Sequence, residues 1–362
     1  MAKKYKIKQL SQDFKVKEIS DINLVTSGEY AVFKLKKKNY NTERAVQTIA
    51  NALKINRKRI GYAGNKDRIA ITEQNISIKN IKREKVENLE LKDIELKFLG
   101  YTKEPVSLGD LKGNRFEIVV RNISKQPKKV KKIINYYGEQ RFSKYNAEIG
   151  KAIIKKDFKK AVDRILDSIG EDEKKVIALL EKSRNDLVGA LKTMPWKILK
   201  LYIHAYQSKL WNEVVEELVK DKARPVIDSK AGNSKTRSVF VVEDQKIKFN
   251  KIKKENSLVC DAKKNMKIPL IGFATEIKDK ELKRVVNRIM RNEQIDYNDF
   301  VIRAIPELSS EGSERNLFEE VKDLDIGELE DDELNKGKKK VKISFSLGKG
   351  CYATEVVKEL FA

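Results

Sequence analysis

The sequence predicts a mixed α/β chain in which one domain is assembled from both chain ends and a second is inserted between them. Three observations carry this. The 362 residues suit two domains better than one, since domains run to about 100–200 residues. Strand-like apolar patterning lies near both ends, in Phe14, Val16, Ile19, then Tyr30, Val32, Phe33, Leu35, and finally Val341, Ile343, Phe345, Leu347. Between them, from about 160 to 220, apolar residues recur at helical steps.

The elements follow in order. Residues 14–35 read as strands. Asn41 or Thr42 caps a helix through about Leu53, with Ala45, Val46, Ile49, Ala50 and Leu53 on one face. A turn over Gly61–Asp67 precedes a strand around Ile69–Ile78, and Asn114–Arg121 is a further strand with Phe116, Ile118 and Val120 on one side. The 126–137 stretch reads as helical after Pro127. The clearest helix runs from about Trp196 to Val219, and 225–275 returns to short strands. A helix is expected at 278–292. Nine carboxylates between Glu319 and Glu333 read as an exposed helix or loop at a boundary. A last strand turns at Gly348 and Gly350 into a short closing helix. The division expected is 1–160 with 327–362 for one domain and 161–326 for the insertion.

Composition excludes several chemistries. Two cysteines, Cys260 and Cys351, make no disulfide framework or cysteine metal cluster, and the single His204 supports neither a histidine zinc centre nor a dependable triad. No metal or cofactor is expected. No run of 18 apolar residues spans a membrane, and the charged start lacks an apolar segment behind it, so a cytoplasmic protein is expected. Neither a GxxxxGK[ST] nor a GxGxxG fingerprint is present. Any catalysis must come from carboxylates, lysines, tyrosines or arginines.

The charge points to an anionic partner. Lys and Arg number 78 against 54 Asp and Glu, a net of +24. Residues 121–160 hold thirteen Lys/Arg against Glu139, Glu148 and Asp157, interleaved with Tyr136, Tyr137, Phe142 and Tyr145. Cations grip phosphates, and flat rings stack on unpaired bases. The same pattern also suits a solvated helical face.

The most informative segment is Gly61-Tyr62-Ala63-Gly64-Asn65-Lys66-Asp67-Arg68-Ile69-Ala70-Ile71-Thr72-Glu73-Gln74. It places Asp67 on a tight turn, where Lys66 and Arg68 favour the ionised carboxylate. Such a group is a nucleophile, a base, or a turn residue bonding its own backbone. This segment closely resembles the signature of the TruD family of tRNA pseudouridine synthases. Asp13-Phe14-Lys15-Val16-Lys17-Glu18-Ile19 is similar to the family's DFxVxEI strand. Leu111 to Phe116, ending in Arg121, is similar to its LxGNxFxIxxR strand. Asn135-Tyr136-Tyr137-Gly138-Glu139-Gln140-Arg141-Phe142 resembles its NYxGxQRF block, and Gly350-Cys351-Tyr352-Ala353-Thr354 its C-terminal GSYAT turn. Tyr206-Gln207-Ser208 with Leu210 and Asn212 matches a family helix more loosely. Ser143, Gly348 and Cys351 stand where glycine, proline and serine are usual.

The resemblance implies a largely antiparallel catalytic sheet built from both termini plus an inserted α/β domain. It implies a cofactor-independent isomerase that converts a uridine of tRNA, usually position 13, to pseudouridine, with Asp67 acting at C1′ or on a sugar proton. Phe14, Asn135 and Tyr352 fall on positions that contact the target uridine. Extruding that nucleotide costs about a few kcal/mol, and ring stacking returns about 1–3 kcal/mol per base. Lys8, Lys66, Arg121, Tyr137 and Arg141 are further RNA-binding candidates, with pairing to Asp67 or a structural ion pair as alternatives. His204, Trp196 and Trp211 read as packing residues. A monomer acting on tRNA away from membranes is expected. The alternatives are a non-catalytic RNA-binding or RNA-folding protein on the same scaffold and a ribosome-associated structural protein.

Overall fold

The computed structural model describes residues 5–142, 145–167, 171–223, 241–243, 246–248 and 266–362. Ser143, Cys260 and most of the expected 225–275 strands lie outside the described residues. By packing, the chain divides into two compact units, 1–133 with 319–361 and 134–318.

In chain order the first unit lays down β1 (Phe14–Ile19), β2 (Tyr30–Lys38), α1 (Thr42–Ala52), β3 (Ile60–Tyr62), β4 (Ile71–Lys79), α2 (Arg83–Glu87), β5 (Ile94–Thr102) and β6 (Gly113–Ile123). Next come β7 (Lys132–Ile134), α3 (Asn146–Ile154), α4 (Phe158–Leu166), α5 (Glu171–Lys182), α6 (Leu187–Lys192) and α7 (Trp196–Ala223). They are followed by β8 (Val241–Glu243), β9 (Lys246–Lys248), β10 (Lys267–Leu270), α8 (Lys280–Glu293) and β11 (Ser313–Asn316). β12 (Phe318–Glu320), β13 (Lys322–Asp331), β14 (Lys339–Gly348) and α9 (Ala353–Leu360) complete the chain.

The first unit is an eight-stranded sheet in the order β13-β14-β6-β1-β4-β2-β5, with β3 pairing beside β1 along β4. Every pairing is antiparallel except β1 with β4. α1 forms as its sequence demands: Asn41 caps it by accepting from the Arg44 amide, and Ala45, Val46, Ile49 and Ala50 are buried. These residues cover Ala31, Phe33, Leu35, Ile76 and Ile78. α9 covers a second cluster of Phe14, Val16, Phe116, Ile118, Ile343 and Phe345 through Ala353, Val356, Val357 and Leu360. Directly paired residues share a sheet face. Val16 pairs with Thr72, and Thr72 with Lys37, while Leu35 pairs with Gln74. The two helices therefore cover two parts of one face, and a polar stripe of Thr72, Gln74 and Lys37 lies between them.

Two expected elements differ. Residues 126–137 hold the short strand β7 rather than a helix. After Pro127 the run carries four lysines, and its apolar residues divide between two clusters, Val130 and Ile133 in one and Ile134, Tyr136 and Tyr137 in the other, so no single buried stripe exists to hold a helix. The acidic 319–333 stretch is largely β13, an edge strand of the sheet. Its carboxylates are matched across the hairpin: Asp331 lies opposite Lys339 at 2.7 Å, and Lys340 reaches Glu333 at 2.7 Å and Glu330 at 3.5 Å. Charges on an edge also discourage pairing with another chain.

The second unit packs α3, α4, α6, α7 and α8 around one apolar core. α7 buries Leu199, Ile203, Tyr206, Leu210, Trp211 and Val214. Trp211 is fully buried as expected. Trp196 is not: it opens α7 after Pro195 and stays 55% exposed, while Leu199 in the same turn is buried. Among the described residues no helix is long and apolar enough to cross a membrane.

Candidate active site

The signature loop crosses the polar stripe of the first unit. Five side chains from five elements fasten it. Gln74 of β4 donates to the Gly64 carbonyl at 2.9 Å, and the Thr42 hydroxyl at the start of α1 accepts from the Lys66 amide at 2.8 Å. Thr42 in turn donates to Gln74 at 2.9 Å. Lys37 of β2 donates to the Asp67 carbonyl at 3.1 Å and to the Tyr40 carbonyl at 2.5 Å. Lys66 reaches back with its ammonium to Asn114 of β6 at 2.8 Å and to Glu18 of β1 at 3.0 Å. Thr42, Gln74, Lys37, Lys66 and the Glu18 side chain are all buried. Buried polar groups are tolerated only when bonded, and such a network leaves the loop a single well-defined path.

Above that floor stands the Asp67 carboxylate, 3.1 Å from the Lys8 ammonium, with the two side chains 21% and 20% exposed. Lys8 takes the left-handed backbone conformation, φ 58°, unusual for a side chain of its size, which directs the chain ahead of β1. Its ammonium also sits 4.1 Å from the centroid of the Phe14 ring. Phe14 is only 2% exposed and meets Phe116 edge-on at 6.2 Å. The ring expected to receive a base is thus covered by Lys8 on one side and packed in the core on another. Tyr352, half-buried, precedes α9 at its N-cap position, after Gly350 at φ 78°, a conformation that needs no Cβ.

Lys66 and Arg121, candidates for RNA contact or for a structural ion pair, both lie in interior ion pairs. Arg121 forks onto Asp13 through Nε and Nη2, both at 2.9 Å, and reaches Asp332 and Glu333 at 3.0 Å. Asp13 foremost among these partners holds the guanidinium proton more tightly than usual. Lys37 is the residue sequence reasoning missed here. Burial pushes its ammonium down to about 8, while Asp67 pulls it up and Lys66 pushes it further down. The available signal was alternation: Ala31, Phe33, Leu35 and Lys37 share the inward side of β2.

The second unit gathers Asn135, Tyr137 and Arg141. Arg315 of β11 donates to the Asn135 carbonyl at 2.9 Å and to its side-chain oxygen at 2.5 Å, while the Asn135 amide nitrogen donates to the Asn316 carbonyl at 3.3 Å. The same guanidinium lies 4.1 Å from the Tyr137 ring centre, and Arg141 6.0 Å from it. Burial pushes the Tyr137 hydroxyl up, with Arg315 and Arg141 opposing. Asn212 of α7 clamps the Tyr137 backbone, accepting from its amide and donating to its carbonyl at 3.0 Å each. Arg141 donates to Ser208 at 3.4 Å, and Gln207 donates to the Ile271 carbonyl and Ser310 at 2.7 and 2.8 Å. Gln207 and Asn212 of α7 therefore serve to hold loops. Arg315 was missed because no recognised motif contains it. Among the described residues, no three His, Cys, Asp or Glu side chains gather as a metal site.

The family model for tRNA pseudouridine synthase D (TruD) matches residues 4–178 and 170–360. The chain belongs to the TruD family. Its relatives include the tRNA pseudouridine synthase D of Aquifex aeolicus, 30% identical, with 98% of both chains covered. The Methanocaldococcus jannaschii protein named Probable tRNA pseudouridine synthase D 2 is 33% identical over 98% of this chain and 91% of that one. A crystal structure of the Methanosarcina mazei TruD protein matches with a TM-score of 0.67 at 28% identity, covering 98% of this chain and 93% of that chain. The TruD fold is the mixed α/β architecture described above.

Proposed function

We propose that this TruD protein isomerises a uridine of tRNA to pseudouridine, with Asp67 as the group that acts at the ribose. The reaction is redox-neutral: the N1–C1′ bond breaks, the base turns, C5 bonds to C1′, the C5 proton leaves and N1 gains one. Product and substrate have the same atoms. Asp67 attacks C1′ or removes a sugar proton, and either route needs an ionised carboxylate held still beside the sugar.

The single observation that carries this reading is the placement of Asp67. Its carbonyl is held by buried Lys37 of β2 and the loop just ahead of it by buried side chains of β4 and α1, while its carboxylate remains partly open beside Lys8. Preorganisation of this kind is what a reacting group requires. Lys8 and Phe14 form the near wall in this reading, and Tyr352 offers a ring to the extruded base. Asn135, Tyr137 and Arg141 belong to the second unit, to which we assign the grip on tRNA. An amide can form a second hydrogen bond at each end, so Asn135 can add an RNA base edge to the contacts it makes. We place the target at position 13 and the protein in the cytoplasm as a monomer without cofactor.

The test is tritium release from C5-labelled uridine in tRNA. Asp67→Ala is expected to lose turnover by at least 1000-fold and to keep tRNA affinity within about threefold. Turnover near the wild-type rate in that variant refutes the role of Asp67. Affinity for tRNA with no tritium release by the unaltered protein supports the non-catalytic alternative. Binding should weaken steeply with salt.

A further inference from the structure

Lys37 occupies the inward side of β2 at 1% exposure, among Leu35, Thr72 and the floor of the loop. A lysine is an expensive choice there unless its charge is used. Its ammonium holds two main-chain carbonyls, Tyr40 in the connection from β2 to α1 and Asp67 in the loop before β4. The Asp67 carboxylate is paired with a different amine, that of Lys8. One buried cation thus fixes where the backbone of Asp67 lies, while another meets its side chain.

We propose that Lys37 is a positioning residue for the isomerisation: it anchors the Asp67 main chain from inside the sheet and supplies a positive charge beneath the carboxylate without touching the substrate. This rests on Asp67 being the acting group. A methionine at 37 fills similar space but leaves both carbonyls without their donor. The loop is then free to shift, and a displacement of about 1 Å in a reacting group costs on the order of 100-fold in rate.

The charge itself gives a second signature. The groups that face Lys37 are Asp67 and Lys66 from the loop, Lys8 across Asp67, and Glu18 across Lys66; Thr42, Thr72 and Gln74 are uncharged. Burial holds the Lys37 ammonium at about 8, below its ordinary 10.5. As pH rises through that value the amine keeps hydrogen bonds but loses its charge. The sign for stability is opposite to the sign for rate. Between about 8 and 10.5 the unfolded chain holds a proton at this residue that the folded chain has released, so folding becomes more favourable as pH rises. A rate that falls where stability does not fall separates positioning by charge from simple packing.

The experiment measures single-turnover tritium release, tRNA affinity and thermal melting for the unaltered protein, Asp67→Ala and Lys37→Met. The unaltered rate is expected to fall roughly tenfold by pH 9 with no loss of melting temperature. Lys37→Met is expected to react about 30- to 100-fold more slowly at pH 7.5, bind tRNA within about threefold, and lack the fall above pH 8. A Lys37→Met protein at the wild-type rate beside an inactive Asp67→Ala protein overturns the role of Lys37 alone. An active Asp67→Ala protein overturns the reading of Asp67, and this proposal with it. Should Lys37→Met fail to fold, the unaltered profile decides, and a rate flat to about pH 9.5 overturns the proposal.

Discussion

Replacing Arg121 by leucine tests whether its charge serves the interior or the RNA. The guanidinium spans Asp13 and Asp332, whose carboxylates are 2% and 0% exposed, and it also reaches the half-exposed Glu333. Asp332 keeps the Asn122 amide at 2.8 Å, the Leu334 amide at 3.0 Å and Asn335 at 2.7 Å when the arginine is gone. Asp13 keeps the Leu10 amide at 2.9 Å and carries most of the loss. Breaking a buried pair by removing one partner costs about 3–5 kcal/mol, and the exposed Glu333 contact adds little. For a unit of this size each kcal/mol lowers the melting temperature by about 2–4 °C, so Arg121→Leu should melt roughly 10 °C lower at pH 7. If orphaned charge is the cause, Arg121→Leu with Asp13→Leu should recover more than half of that loss. Circular dichroism melting reads both values. A single variant that melts within about 3 °C of the unaltered protein yet binds tRNA tenfold more weakly would place Arg121 against RNA and refute the reasoning.

Two further outcomes follow from the second unit. Burial first, then Arg141 and Lys200, push His204 down to about 4, so folded protein carries it neutral while unfolded chain protonates near 6.5. Stability therefore falls as pH drops from about 6.5 through about 4, and His204→Asn should flatten that slope; the lone imidazole signal in a proton NMR titration should turn near pH 4, and a midpoint above 6 contradicts it. Asn212→Ala removes both bonds to the Tyr137 backbone, which should cost about 1–3 kcal/mol and speed amide exchange over 136–142. Unchanged exchange there would show that α7 does not hold the loop.

The chain's own residues established a good deal. Asn41 and the apolar face of Ala45, Val46 and Ile49 determined α1, and the alternation of Val341 to Leu347 determined β14, because local patterns satisfy local hydrogen bonds and one buried face. The Gly61–Gln74 segment singled out Asp67 and, with the other ordered blocks, the TruD family. Tertiary structure decided which charges find buried partners. Lys66 and Arg121 look like phosphate ligands in sequence, yet each finds a buried carboxylate brought from a distant strand or loop. Lys37 looks like one of three surface lysines, yet strand alternation turns it inward beneath Asp67. The acidic stretch became a strand because lysines of β14 lie opposite it. Charge type is written residue by residue, but the partner that gives a charge its role is supplied by chain segments up to hundreds of residues away.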